Sequence, residues 1–510
     1  MSQPPPPPGN PYGQQQPPQY PYQQPYQQPQ YGYPPQPQQP YYAPQPPQLP
    51  QRGGGNGKLI GIVAGAVAAL LVVVGGVWIA TSGDGGSGPD AKPSSSSTGG
   101  GRSGDGAIAA ASLWTATANR PPKAEYGASL PDAWFTGNAI VKTTPDSVTS
   151  YDIDSGAKNW SIPLSGESCP GSRESSQDRI VVQYGSKCSQ VMAIDIAKGA
   201  KLWDHKLPVE NGRTNFDYSM IAVSGDTAAV AWIGGSSAAY RISTGKLLWT
   251  PKEGADCSDV AYKGGTKLIA VIQCGTYSNP TYYVQGIDES GTKQWTWQVP
   301  SHNEVNSVIS TDPVVVGLAA GSQALLSDVV YLENGKMKSR ISLGNAGADA
   351  KYRIDCHVVG EGHCQDYALD KDTIYFSTKS HSGSGSNAYG RTNEITAFDL
   401  KTGKAKWLAK PDQEREVTIV GLDDSGGRVI GYQQPTYDKG GRLIAVDTTT
   451  HQVTPYMELP ESGKGLEDAF YSGDYLWIHK EHFFITAATV RSLGSAGADG
   501  TTQKSVAAFG

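Results

Sequence analysis

The chain is short of charge, of cysteine and of the common catalytic signatures. Charged residues make up 17% of its 510 residues, against roughly 25% in ordinary soluble domains. No acidic residue precedes Asp84. No Gly-x-Ser-x-Gly, His-Glu-x-x-His or phosphate-binding Gly-rich loop occurs. That removes the hydrolase, zinc-peptidase and nucleotide-binding readings that rest on those patterns. A basic excess is missing too. The net charge is −6; the stretch ahead of the apolar run holds only Arg52 and Lys58, which leaves −8 on the remainder. So acidic a remainder argues against a nucleic-acid partner.

Two segments account for much of the charge deficit. Residues 2–50 are almost entirely Pro, Gln, Tyr, Gly and Asn. Such a chain lacks the aliphatic surface needed to offset ordering entropy, so residues 1–57 are predicted to be a disordered tail with polyproline II character. Leu59 to Ala80 contains no charge at all. At about 1.5 Å per residue it is long enough to cross a hydrocarbon core of roughly 30 Å, and 58–81 is read as one transmembrane helix. The run is too long for a typical signal-peptide core and follows a long low-complexity segment. Arg52 and Lys58 before it, with acids appearing only after it, place the N-terminus in the cytoplasm and the C-terminal part outside the cell. Gly61 and Gly65 make a small-xxx-small pair, a spacing that arises easily in a Gly/Ala-rich helix. Residues 82–107 are a Gly/Ser-rich linker.

Beyond the linker one segment recurs: an alternating apolar run, an Asp, a Gly turn, then Trp. The clearest copy runs from Ile395 through Asp399 and Gly403 to Trp407. Others end on Trp160, Trp203, Trp249 and Trp295, and decayed copies pass through Glu333-Asn334-Gly335 and Asp447 without a Trp. The spacings between the first four of these tryptophans are 43, 46 and 46 residues. That is the period of four-stranded propeller blades. Segments such as Arg179–Tyr184 alternate with period two rather than 3.6. Asp caps the turn, Gly supplies positive φ, and the Trp is placed to pack between neighbouring blades. No blade can bury both faces alone; radial repetition buries them.

These segments resemble the PQQ-like, quinoprotein-type repeat, roughly A-x-D-x-x-T-G-K-x-x-W, over about residues 108–492. The family includes quinoprotein alcohol dehydrogenases and the assembly lipoprotein BamB. The order of tail, span, linker and propeller is similar to that of many membrane-anchored actinobacterial envelope proteins. Seven turn-plus-strand units are countable. Asp474–His479 and His482–Ala487 add two strand-like runs, and Leu113-Trp114-Thr115-Ala116 supplies a strand to close them. The prediction is therefore an all-β, eight-bladed propeller closed by the N-terminal strand, with seven blades as the alternative, and 493–510 as a flexible C-terminal tail.

All six cysteines follow the span. Outside the cytoplasm an even count reads as disulfides. Local pairing of Cys169 with Cys188, Cys257 with Cys274 and Cys356 with Cys364 is the simplest of the possible connectivities. Cys356-His357 and His363-Cys364 also offer a zinc ligand set, but adjacent Cys-His pairs depart from zinc spacing and an oxidising exterior favours the disulfide. His479, Glu481 and His482 read as a surface or hairpin cluster rather than ligands.

The resemblance to quinoprotein dehydrogenases implies PQQ and Ca²⁺ on the propeller axis, commonly with a vicinal Cys-Cys. This chain has no adjacent cysteines, and none of those catalytic residues maps onto a matching motif. The expectation is a non-catalytic module without a cofactor or metal, binding an envelope protein or other extracellular ligand. Ser380–Asn393 and Tyr277–Tyr283 are its long loops, the former read as disordered. The alternatives are a PQQ-dependent dehydrogenase and a sensor that signals through the N-terminal tail.

Overall fold

The computed structural model describes residues 106–510, apart from 123–126, 131, 209–215, 217–218, 233–235, 251–255, 277–278, 321–324, 345–349, 357–363, 384–389, 412–414, 471–473 and 496–499. The tail (1–57), the span (58–81) and nearly all of the linker (82–107) lie outside the described residues. Among the described residues no helix is long and apolar enough to cross a membrane.

Eight antiparallel sheets form eight blades. Blade 1 is Ala133–Thr136, Ala139–Thr144, Ser147–Asp152 and Lys158–Pro163, from axis to rim. Blades 2 to 5 repeat this order, starting at Ser168–Gly171, Met220–Ser224, Cys257–Lys263 and Asn303–Thr311. Blade 6 splits its inner strand into Tyr352–Arg353 and Tyr367–Leu369, both paired with Thr373–Thr378. Blade 7 begins at Thr418–Leu422. Blade 8 is composite: Tyr475–His479 and His482–Thr486 pair onward to Thr502–Phe509, and the N-terminal strand Ser112–Asn119 forms its rim. Just before it, Ile108–Ala109 runs parallel to the rim strand of blade 7, so the N-terminal strands tie blades 7 and 8 together.

The alternation of the strands places the core in the seams. Ile180 and Val182 face blade 1, meeting Val141 and Val148. Val181, between them, faces blade 3 and meets Val223 and Val230. All of these are fully buried, and each such side chain contributes about 1.5–3 kcal/mol relative to exposure. The turns follow from the Asp and Gly. Asp152 Oδ1 accepts the Ser155 N–H at 2.9 Å, and Gly156 takes φ of 68°, a region in which a side chain is strained. The tryptophan of each of blades 1–4 then lies on the turn glycine of the next blade. A Cβ on Gly199 would sit 2.4 Å from the Trp160 ring, and one on Gly291 would sit 2.7 Å from Trp249. Trp203 does the same at Gly245 and Trp295 at Gly335. Trp407 of blade 6 stacks on His451 of blade 7, with ring centroids 4.8 Å apart.

Three expectations need correction. The C-terminal residues are not a flexible tail: Thr502–Phe509 is the third strand of blade 8, with Val506 to Phe509 fully buried. The propeller therefore runs on beyond 492. This strand stops before any Asp-Gly turn, so it carried no repeat signature. Ser380–Asn393 is not wholly irregular. His381–Ser382 pairs with Arg391–Thr392, and Arg391 donates to the Ser380 carbonyl at 2.9 Å; residues 384–389 lie outside the described residues. Most of Tyr277–Tyr283 belongs to the strand Asn279–Ile287 rather than to a long tip.

Candidate axial binding site

Antiparallel order gives the ring two unlike faces. Turns joining first to second and third to fourth strands share one face, and they are mostly the short turns described above. The second-to-third and blade-to-blade connections share the other. That face carries the hairpin of blade 6, the Gln434–Gly441 segment with Tyr437 at 99% exposure, and the short helix Lys464–Glu467 between blades 7 and 8.

A cavity of about 710 Å³ opens among blades 6, 7 and 8 at this irregular side, lined by Arg353, Asp366, Gln434, Glu467 and Phe470. It shares Asp366, Thr418 and Leu476 with a second cavity of about 380 Å³ lined by inner strands of blades 2, 4, 6, 7 and 8. The second is the axial channel. Its polar groups meet in pairs. Arg173 meets Asp132 at 3.2 Å and lies over the Tyr475 ring at 5.2 Å. Lys263 meets Glu174 at 2.7 Å. Arg353 pairs with Asp366 and approaches Glu416 at 3.6 Å.

Burial sets the electrostatics. It pushes the carboxyls of Asp132 and Asp366 up from the usual range, although Arg173 and the Gly171 N–H pull the first down and Arg353, Ser377 and the Ile419 N–H pull the second down. Lys142, wholly buried in blade 1, is brought down to about 8 by the same desolvation; it donates to the Leu130 and Asp132 carbonyls. Glu467 is raised by burial and accepts from the Tyr432 hydroxyl at 2.6 Å and the Gly441 N–H at 3.0 Å. A carboxylate so held anchors the short helix to the wall of blade 7.

The sequence singled out other residues. Cys169 bonds Cys188, Cys257 bonds Cys274 and Cys356 bonds Cys364, with S–S distances of 2.01, 1.99 and 2.11 Å. The third closes an insertion within the inner strand of blade 6, and Cys364 lines the axial channel. His357 and His363 lie outside the described residues. His479 and His482 pair across a two-residue turn at Lys480 and Glu481, both at positive φ, and burial lowers the pKa of His479. The tryptophans stand at the seams, away from the axis. The residues that do line the axis and its mouth, Arg173, Glu174, Lys263, Arg353 and Asp366, were not singled out. One signal was present: charge in inner segments, where the other copies are apolar or small.

The quinone and calcium ion implied by the dehydrogenase likeness can be tested against this lining. Asp132, Asp366 and Glu174 are each engaged by a cation. Among the described residues no group of three His, Cys, Asp or Glu side chains stands in metal-holding geometry. The cysteines pair at sequence separations of 19, 17 and 8, so none forms a vicinal disulfide. These residues do not fit that cofactor.

The family model described as outer membrane protein assembly factor BamB matches residues 106–255 and 187–351. The BamB of Pseudomonas aeruginosa is 26% identical over 152 residues, 28% of this chain and 38% of that protein. The match thus spans well under two thirds of that relative. Among solved structures, BamB from Moraxella catarrhalis aligns at a TM-score of 0.42 with 11% identity, covering 79% of this chain and 98% of that one. A europium-containing methanol dehydrogenase aligns at 0.42 with 11% identity over 78% and 93%. In its recurring Asp-Gly-Trp turns, its eight blades and its match to the family model over residues 106–351, the chain is similar to the PQQ-like, quinoprotein-type β-propeller repeat family.

Proposed function

We propose that this chain is a membrane-anchored, extracytoplasmic and non-catalytic scaffold that holds an envelope protein over the irregular face of its propeller. One observation carries the reading. The exposed Gln434–Gly441 segment and the short helix border one cavity, and the hairpin of blade 6 stands on the same face with Arg391 3.6 Å from Glu416, while the opposite face is largely reduced to tight turns. Binding residues concentrate on loops held by a rigid scaffold. The three disulfides suit an oxidising compartment, and the relative from Pseudomonas aeruginosa is named as an outer membrane protein assembly factor. The charge-paired axial lining offers no activated nucleophile.

A photo-crosslinking residue placed at Tyr437 on the irregular face, or at Lys401 on the turn face, tests this in intact cells. One consistent envelope protein is expected from position 437 and none from 401. No adduct, or equal capture from both positions, would overturn the reading. Protease shaving of whole cells that leaves the propeller intact would overturn its placement outside.

A further inference from the structure

The seam between blades 4 and 5 is open on the turn face. Its groove, of about 840 Å³, is larger than the two cavities described above and is lined by Trp295, Tyr331, Pro313, Glu289, Asn334 and Lys371, among others. Trp295 departs from three of its counterparts. Trp114 and Trp203 donate their indole N–H to a carbonyl of the next blade, Ile153 at 2.8 Å and Ile242 at 2.6 Å, and Trp249 reaches the Tyr262 hydroxyl at 3.3 Å. The indole of Trp295, like those of Trp160 and Trp407, makes no hydrogen bond among the described residues. Its ring folds back over its own blade: a Cβ on Gly286 would lie 2.3 Å from its Nε1. The equivalent positions in other copies are Ala193, Ala397 and Ala445. The missing methyl lets the indole lean over its own blade while its edge still meets Gly335, and the turn-face end of the seam stays open above the core of Ile269, Val284, Val316 and Val330.

The lining combines aromatic faces with separate polar groups. Asp312 is occupied by Lys267 at 2.9 Å and Glu333 by Lys338 at 2.9 Å. Asp288 is spent on the Ser290 and Thr292 N–H groups and on Gln294. Glu289 and Lys371, of opposite sign, form no ion pair among the described residues, and Asn334 is exposed. Backbone recognition is closed off, because a seam presents sheet faces rather than a free strand edge. The bordering turn is satisfied internally too, Asp288 N–H to Thr292 O and Gly291 N–H to Asp288 O, both at 3.0 Å. A ligand here must present an apolar face to rings and hydroxyls to side-chain acceptors and donors. The volume falls within the roughly 300–1,000 Å³ of small-molecule sites.

We propose that this groove is a carbohydrate-binding subsite for a short neutral oligosaccharide. A pyranose would stack on Trp295 and Tyr331 while Glu289, Asn334 and Lys371 take its hydroxyls. The site lies on the face opposite the proposed protein-binding mouth, so each can fail without the other. The test uses the full chain in phospholipid nanodiscs, titrated calorimetrically with cellotetraose, chitotetraose, mannotetraose and maltotetraose. Saturable binding of at least one is expected. It should weaken at least tenfold in Trp295→Ala, in the exposed double variant Glu289→Ala/Asn334→Gly, which suits the positive φ at 334, and in Thr266→Trp, which fills the groove without removing a packing group. Thermal unfolding of the last two should stay unchanged, which keeps the test sound if Trp295→Ala fails to fold. No saturable binding by any of the four sugars overturns the proposal. So does binding that survives the double variant and Thr266→Trp, or binding of a proline-rich peptide at the groove in place of a sugar.

Discussion

Blades 1 to 4 and blades 5 to 8 follow one plan with different fidelity. In the first half every rim strand ends a recognisable repeat, and its tryptophan lies on the next blade's turn glycine. In the second half the repeat keeps its strands but its markers are uneven: blade 6 carries a full Asp-Gly-Trp copy and Trp114 of blade 8 lies on Gly156, whereas the copies in blades 5 and 7 lack the tryptophan. At the seam of blades 5 and 6 the backbone of Arg340, not an indole, stands 2.7 Å from where a Cβ on Gly403 would be. Blade 6 opens its inner strand for a disulfide-closed insertion, a helix intrudes between blades 7 and 8, and blade 8 is assembled from both ends of the domain. The lesson is that the ring needs buried alternating strands everywhere, whereas the tryptophan latch is needed only where nothing else fills the seam.

The strongest way to break this comparison is at the closure. Ending the chain at Thr501 removes the strand that carries Val506 to Phe509 and deprives Ser112–Asn119 of its partner. Because each blade buries its faces only against neighbours, the loss should not stay local. The expected result is no cooperative thermal transition and rapid proteolysis of the whole propeller. A truncated protein that melts as sharply as the intact one would show that the halves fold separately.

A finer comparison pits one latch against another. Trp203 is 8% exposed and donates to the Ile242 carbonyl; Trp407 is half-buried and stacks on a histidine. Trp203→Ala is expected to cost about 3–5 kcal/mol, the range for buried aromatic truncations. Trp407→Ala should cost about 1–2 kcal/mol, in proportion to the smaller area lost. Denaturant unfolding of both variants checks the order, and equal costs would mean that the latch matters equally around the ring.

The same contrast explains what could be read in advance. The blade period, the turn chemistry and closure by Leu113–Ala116 follow from residues that obey local rules, Asp and Gly at fixed offsets and alternation along strands. Eight blades rather than seven was legible because the two strand-like runs after Asp474 needed partners. The strand Thr502–Phe509 was not, since it ends before the turn that would have marked it. Nor was the axial lining. Arg173 and Asp132 are 41 residues apart in sequence, and Glu174 meets Lys263 across a blade; only the curvature of the ring brings them together. Local patterns specify blades, and sites built between blades leave no contiguous trace.

The smallest expected effect lies at the short helix and separates a structural acid from a destabilising one. Burial raises the carboxyl of Glu467 above its ordinary range. Below the unfolded-state pKa both states hold the proton and burial carries no ionic penalty. As pH rises the unfolded chain ionises first, so this group's contribution falls until pH passes the folded-state value. Glu467→Gln keeps an acceptor for the Gly441 N–H and can donate to the Tyr432 hydroxyl, but carries no charge. The variant should match the parent near pH 4 and exceed it in stability at pH 7. Glu467→Leu should instead lose about 1–3 kcal/mol at either pH, because the buried Tyr432 hydroxyl and Gly441 N–H are left unmet. Thermal unfolding of the three proteins at the two pH values decides the matter. A glutamine variant less stable than the parent at pH 7 would mean that the ionised carboxylate itself holds the helix against blade 7, and that the irregular face is pinned by charge rather than by neutral hydrogen bonds.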